Sequence, residues 1–246
     1  MTREPIFNAP AGVVWCLGVL AAMHGLIWWV LPETSAEKLI LQLAFIPARY
    51  GAAAADPLLG GWPAAAWSFL THQLVHGDLT HLGLNSVWLL VFGSAVAVRI
   101  GSLRFLLLGL ASGVAGALTF LAFRFGDPVP MIGASGAVSG LMGGAFRFFF
   151  AALDRGGFEM FRTNPKGIPL MSLRETVSDR RLQIAVAVWL AINLLSAAIA
   201  PVLTGGDGIA WQAHLGGFLF GLVAFGAFEP VRPSRPEAEA PRPTLH

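Results

Sequence analysis

The chain has 246 residues, of which 55% are hydrophobic and only 12% charged, with a formal net charge of +2. Water-soluble domains carry roughly 25% charged residues, so this composition excludes an ordinary soluble globule, and the small net charge gives no electrostatic basis for binding nucleic acid. The single cysteine, Cys16, excludes an intrachain disulfide and a cysteine-based metal site.

The elements follow in chain order. Residues 1–10, with Arg3 and Glu4, read as a short polar tail before an apolar run over 11–31. No cleavage-site pattern follows that run, which predicts a retained helix rather than a signal peptide. Segment 32–81 differs: it holds the amphipathic stretch Leu39 to Phe45, a Gly/Pro-rich run, and Trp62 and Trp67. Tryptophans favour the membrane interface, so this loop is expected to lie partly in the bilayer surface. Further apolar runs cover 82–100, 103–123, 133–151, 182–202 and 210–228. Each is close to the roughly 20 residues that cross the hydrocarbon, and a backbone in lipid must satisfy its own polar groups. The fold class is therefore an all-α membrane protein, a six-helix bundle over 11–229 with a large amphipathic loop between the first two helices. A Pro-rich tail over 230–246 reads as disordered.

Lysine and arginine set the orientation. With the N-terminus inside, the cytoplasmic segments hold Arg3, Arg99, Arg104, Arg155, Arg162, Lys166, Arg174, Arg180, Arg181, Arg232, Arg235 and Arg242. The other side holds Lys38, Arg49 and Arg124, and Arg147 falls near the inner end of the fourth helix. Both termini are thus expected in the cytoplasm. This places His81 and Asn85, Ser135, and His214 at the outer ends of the second, fourth and sixth helices, at similar depth.

Ser135 sits in Gly133-Ala134-Ser135-Gly136, flanked by glycine at a helix start where free N–H groups can stabilise an oxyanion. Gly136, Gly140 and Gly144 continue as a stripe that permits close helix approach; by itself the serine also fits as one more small packing residue. His214, Gly217 and Gly221 share a face of the sixth helix. That histidine meets Ser135 if the two glycine faces pack; the plainer alternative is an interfacial histidine bonded to a loop carbonyl. His81 and Asn85, four apart, share a face and supply side-chain donors. His72 and His76 have spacing that also fits zinc, but no H-E-x-x-H pattern accompanies them and Gly77-Asp78 signals a turn, so the expectation is no metal and a loop organised by histidine hydrogen bonds. No acid completes a triad: Asp127 and Asp207 read as solvated loop carboxylates, and His24 is isolated.

These motifs, His72-x-x-x-His76-x-x-x-x-His81-x-x-x-Asn85, Gly133-Ala134-Ser135-Gly136 and Ala213-His214-x-x-Gly217-x-x-x-Gly221, in this order on helices two, four and six, resemble the rhomboid family across residues 11–228. The resemblance implies a serine protease that cleaves transmembrane segments of single-pass membrane proteins, with no cofactor, in a bacterial inner membrane. By position, Ser135 is then the nucleophile, His214 the base, and His81, Asn85 and the Ser135 N–H the oxyanion hole. Segment 32–80 corresponds to the family's membrane-embedded loop, and the fifth helix with the loop after it to its substrate-gating region. Three positions depart from the family pattern: Ser68 follows Trp67 where many members have arginine, Ala97 stands where a glutamate is common, and Ser139 where an aromatic packs on the histidine. They bear on loop anchoring and histidine support, not on the reacting groups. The rival readings are an inactive rhomboid-like protein that binds membrane helices, and a small transporter with a histidine proton relay.

Overall fold

The computed structural model describes residues 9–51, 56, 59–204 and 208–230. The predicted tails, apart from residues 9, 10 and 230, lie outside the described residues, as does Asp207. Eleven α-helices are described: α1 (Ala11–Gly25), α2 (Glu33–Leu43), α3 (Gly61–Thr71), α4 (Leu79–Trp88), α5 (Ser94–Ile100), α6 (Ser102–Arg124), α7 (Ser135–Asp154), α8 (Phe158–Thr163), α9 (Leu173–Ser178), α10 (Arg180–Thr204) and α11 (Trp211–Phe228).

Among the described residues, six spans are long and apolar enough to cross a membrane: Ala11–Val30, Leu79–Ile100, Ser102–Arg124, Ser135–Asp154, Arg180–Ile199 and Trp211–Phe228. They match the six predicted runs to within a few residues. Two of them are not uniform. A π-helical turn over Leu26–Val30 extends α1, and another over Leu89–Gly93 joins α4 to α5. Such a turn inserts one extra residue and re-aims the side chains beyond it. This shift of phase is invisible to a count of apolar residues.

The span on α7 is central, with 83% of it buried, whereas that on α10 is 6% buried and faces outward along most of its length. Lipid tails are as apolar as leucine, so burial of apolar surface cannot hold these helices together. Close packing of small residues does so instead. Glycine occurs where helix backbones meet: a Cβ on Gly217 would overlap the Gly136 carbonyl, and one on Gly221 the Gly140 carbonyl. On α6, a Cβ at Gly116 would stand 2.6 Å from the Ala213 carbonyl oxygen. The predicted meeting of the glycine faces of α7 and α11 therefore exists, and α6 closes against both.

The loop between α1 and α4 is built rather than loose. Phe45 and Met131 exchange backbone hydrogen bonds of 2.9 and 2.8 Å, pinning it to the segment that leads into α7. Arg49, counted above as an outer-side charge, is instead fully buried. Its guanidinium donates to the Leu59 carbonyl at 2.7 Å and to those of Ala44 and Leu41, and burial lowers its pKa from the ordinary arginine value. Trp67 donates Nε1–H to the Gln42 carbonyl at 2.8 Å. At the opposite end of the bundle Arg99 pairs with Glu229, donates to the Ile168 carbonyl at 3.0 Å and lies 4.5 Å above the Phe148 ring. Arg147, also buried, ties the Met171 carbonyl at 2.7 Å and the Leu222 carbonyl at 2.9 Å.

Candidate active site

Ser135 opens α7, and Ala134 before it caps the helix without a side-chain hydrogen bond. The first N–H groups of any α-helix lack intrahelical partners, and Ser135 and Gly136 occupy the first two positions of α7. The bend that delivers Ser135 needs Gly133, whose φ of +114° suits only glycine. Its N–H donates to the His72 carbonyl at 2.9 Å. The next N–H, of Ala134, donates to His76 Nε2 at 3.4 Å. His72 and His76 thus grip the two residues preceding the serine.

Their surroundings fix their protonation. His72 donates Nδ1–H to the Ser68 carbonyl at 2.8 Å, and burial holds its pKa down to about 4. His76 is likewise lowered to about 4, by burial first and then by the nearby His81 and His24. Both imidazoles are neutral at physiological pH. They do not share a helix face: His72 is in a 3-10 turn over His72–Leu74, Val75 is extended, and Asp78 caps α4 by accepting the His81 N–H at 2.8 Å. The turn predicted at Gly77-Asp78 is present. No cluster of three His, Cys, Asp or Glu side chains suited to a metal occurs among the described residues.

His214, in the first turn of α11, brings Nε2 to 2.7 Å from Ser135 Oγ. Residues 79 apart in sequence meet because Gly136 and Gly217 let their helices touch just below. His81 approaches from α4. Its Nδ1 accepts the Gly77 N–H at 3.4 Å, which leaves Nε2 as the protonated nitrogen. A Cβ built on Gly133 would lie 2.6 Å from that Nε2 and 3.8 Å from Ser135 Oγ, so the two groups flank the same glycine. Asn85 is buried; its amide donates to the His81 carbonyl at 2.9 Å, one of its two N–H bonds. Ser135, His214 and His81 therefore come together from α7, α11 and α4, and Asn85 lies one turn further along α4 from His81.

A model of the Rhomboid domain family matches residues 63–228, two thirds of the chain. The chain belongs to the rhomboid family. It is 40% identical over 77 residues to the Rhomboid protease GluP of Bacillus subtilis, an alignment covering 31% of this chain and 15% of that protein. It is 38% identical over 77 residues to the Putative rhomboid protease YdcA of the same organism, covering 31% of this chain and 38% of the relative. Rhomboid-related protein 2 of Mus musculus is 38% identical over 82 residues, which are 33% of this chain and 26% of that protein. The chain thus spans well under half of each of these relatives, and it is a multi-pass integral membrane protein.

Within this rhomboid domain the departing positions Ser68, Ala97 and Ser139 are all buried. Ser68 is fully buried and its carbonyl holds His72, while Arg49 ties the loop carbonyls together. Ala97 is buried close to the Arg99–Glu229 pair in sequence, and Ser139 lies buried on α7 one turn below Ser135. Support for His214 comes from another helix: Asn193 Oδ1 on α10 lies 2.5 Å from His214 Nδ1. Asn193 belongs to none of the three motifs on helices two, four and six. Its signal was available, since Asn193 is the one amide beyond the first turn of the apolar 182–202 run, and polar groups at membrane depth require partners. Asp127 pairs with Arg124 at 2.7 Å and accepts the Val129 N–H, as a loop carboxylate does.

Proposed function

We propose that the chain is an intramembrane serine endopeptidase that cleaves transmembrane segments of single-pass membrane proteins. The observation that carries this reading is the 2.7 Å approach of His214 Nε2 to Ser135 Oγ beneath a helix N-terminus. In the proposed reaction Nε2 takes the hydroxyl proton while Oγ attacks the peptide carbonyl. The oxyanion then meets the Ser135 N–H, His81 Nε2–H and the second Asn85 amide N–H. His214 returns the proton to the leaving amine, and water releases the acyl group by the same route in reverse.

A regular substrate helix shields its carbonyls, so the segment to be cut must unwind locally. Helix-breaking residues near the scissile bond follow from this requirement. His72 and His76 serve to fix Gly133 and Ala134, and hence the direction of the Ser135 hydroxyl. The arginine and lysine bias supports an orientation with both termini in the cytoplasm and the site opening to the outer face, in what we read as a bacterial inner membrane. The test is cleavage of a single-pass substrate in proteoliposomes. Ser135→Ala and His214→Ala are expected to abolish it, and cleavage that persists in both would remove the proposal.

A further inference from the structure

The base has a partner that belongs to neither its own helix nor that of the serine. Asn193 is buried on α10, and its amide makes two contacts. Nδ2–H donates to the Trp189 carbonyl at 2.8 Å, one turn back on the same helix. Oδ1 faces His214 Nδ1 at 2.5 Å. A carbonyl can only accept, so the Trp189 contact requires the NH2 end of the amide there and leaves Oδ1 for the histidine. Oδ1 in turn can only accept. The proton of the neutral imidazole must then sit on Nδ1, and Nε2 presents its lone pair to Ser135 Oγ at 2.7 Å.

We infer that Asn193 is the positioning residue of His214, selecting the Nδ1–H tautomer and holding the ring so that Nε2 acts as base. The assignment rests on the Ser135–His214 reading. The order of contacts runs from the Trp189 carbonyl to Asn193, to His214, to Ser135. It orients as the acid of a serine triad does but adds no negative charge, which suits a site reached at membrane depth where an unpaired carboxylate is costly. It also explains how His214 is held although Ser139 lies below it. The inner half of α10 is seated by Trp189 against Phe218, ring centroids 5.0 Å apart, and by Leu182 within the Phe146 and Phe150 cluster. Asn193 lies one turn further along, at the level of the site.

The test uses the full chain in liposomes and a fluorophosphonate as probe of the serine. Asn193→Leu, which keeps the bulk but removes the acceptor, is expected to slow labelling about 10- to 100-fold, the scale of a misplaced reacting group. Asn193→Asp, which keeps an acceptor facing Nδ1, is expected to label within about threefold of wild type by the same reasoning. A purely packing role would rank these two variants the other way round. Independently of any variant, ¹⁵N NMR of histidine-labelled wild type should show His214 protonated on Nδ1. Protonation on Nε2 overturns the inference. So does wild-type labelling of Asn193→Leu when Ser135→Ala and His214→Ala do not label. Should Ser135→Ala itself label, the dyad reading falls and takes this inference with it.

Discussion

Gly133→Ala is a one-carbon perturbation with two separable consequences. The backbone there has φ +114°, a region that side chains rarely enter, and forcing alanine into it costs about 1–3 kcal/mol. The new Cβ would also stand 2.6 Å from His81 Nε2 and 2.8 Å from its Cε1, closer than any real contact. The imidazole must therefore move away from the serine, or the bend must open. Movement of the imidazole withdraws a donor from the proposed oxyanion position and leaves the Ser135–His214 contact in place, whereas opening of the bend shifts Ser135 itself, and both lower kcat. Loss of one oxyanion donor costs about 10²- to 10³-fold in kcat, or about 2.7–4 kcal/mol of barrier. Steady-state cleavage of a single-pass substrate in proteoliposomes should show kcat reduced by about 100-fold and KM little changed, since the donor acts on charge that develops only in the transition state. Gly18→Ala serves as the control, because nothing lies within 4 Å of its Cβ position. A Gly133→Ala enzyme with kcat within a factor of about three of wild type would refute the placement of His81 at the oxyanion.

Two further outcomes follow from the packing and from the buried histidines. Gly221→Ala places a methyl group against the Gly140 carbonyl, and such overpacking is expected to cost about 1–3 kcal/mol. Unfolding in mild detergent measures it, and an unchanged midpoint contradicts the close approach of α7 and α11. His72 and His76 have pKa values lowered to about 4, His72 by burial and then raised slightly by backbone contacts, His76 by burial and the neighbouring His81 and His24. Below pH about 6.5 the unfolded chain takes up protons that the folded one does not, so stability is full above that value. It declines by about 1.4 kcal/mol per pH unit per histidine as the pH falls toward 4. His76→Gln should flatten this slope in a pH series of thermal unfolding, and an unaltered slope would show that His76 is not held neutral.

Much of this arrangement is legible in the sequence because lipid imposes a one-dimensional rule: an apolar run of sufficient length is a helix that crosses. Alternating crossings then place residues at a common depth, which is how His81, Asn85, Ser135 and His214 converge before any contact is known. Depth, however, is not rotation. Asn193 shares that depth, yet nothing in a spacing of 21 residues from His214 tells which way a nearly unburied helix turns its one interior amide. The same limit explains Arg49. A loop cation counts as solvent-facing by sequence, but here the carbonyls of Leu41, Ala44 and Leu59 surround it. The π-helical turn at Leu89–Gly93 is a third instance, since the extra residue changes phase without changing composition. Two contacts join segments some 60 residues apart: His72 holds Gly133 through its backbone carbonyl, which leaves no mark in side-chain identity, and His76 holds Ala134 through its ring Nε2.

The central claim is that Ser135 is a nucleophile activated by His214. Its most direct measurement is mass-spectrometric mapping of the adduct formed when the protein in liposomes reacts with a fluorophosphonate. A single phosphonylated residue, Ser135, is expected, with no adduct in Ser135→Ala and none in His214→Ala. An adduct on another serine, or one that forms on Ser135 at an unchanged rate without His214, would contradict it.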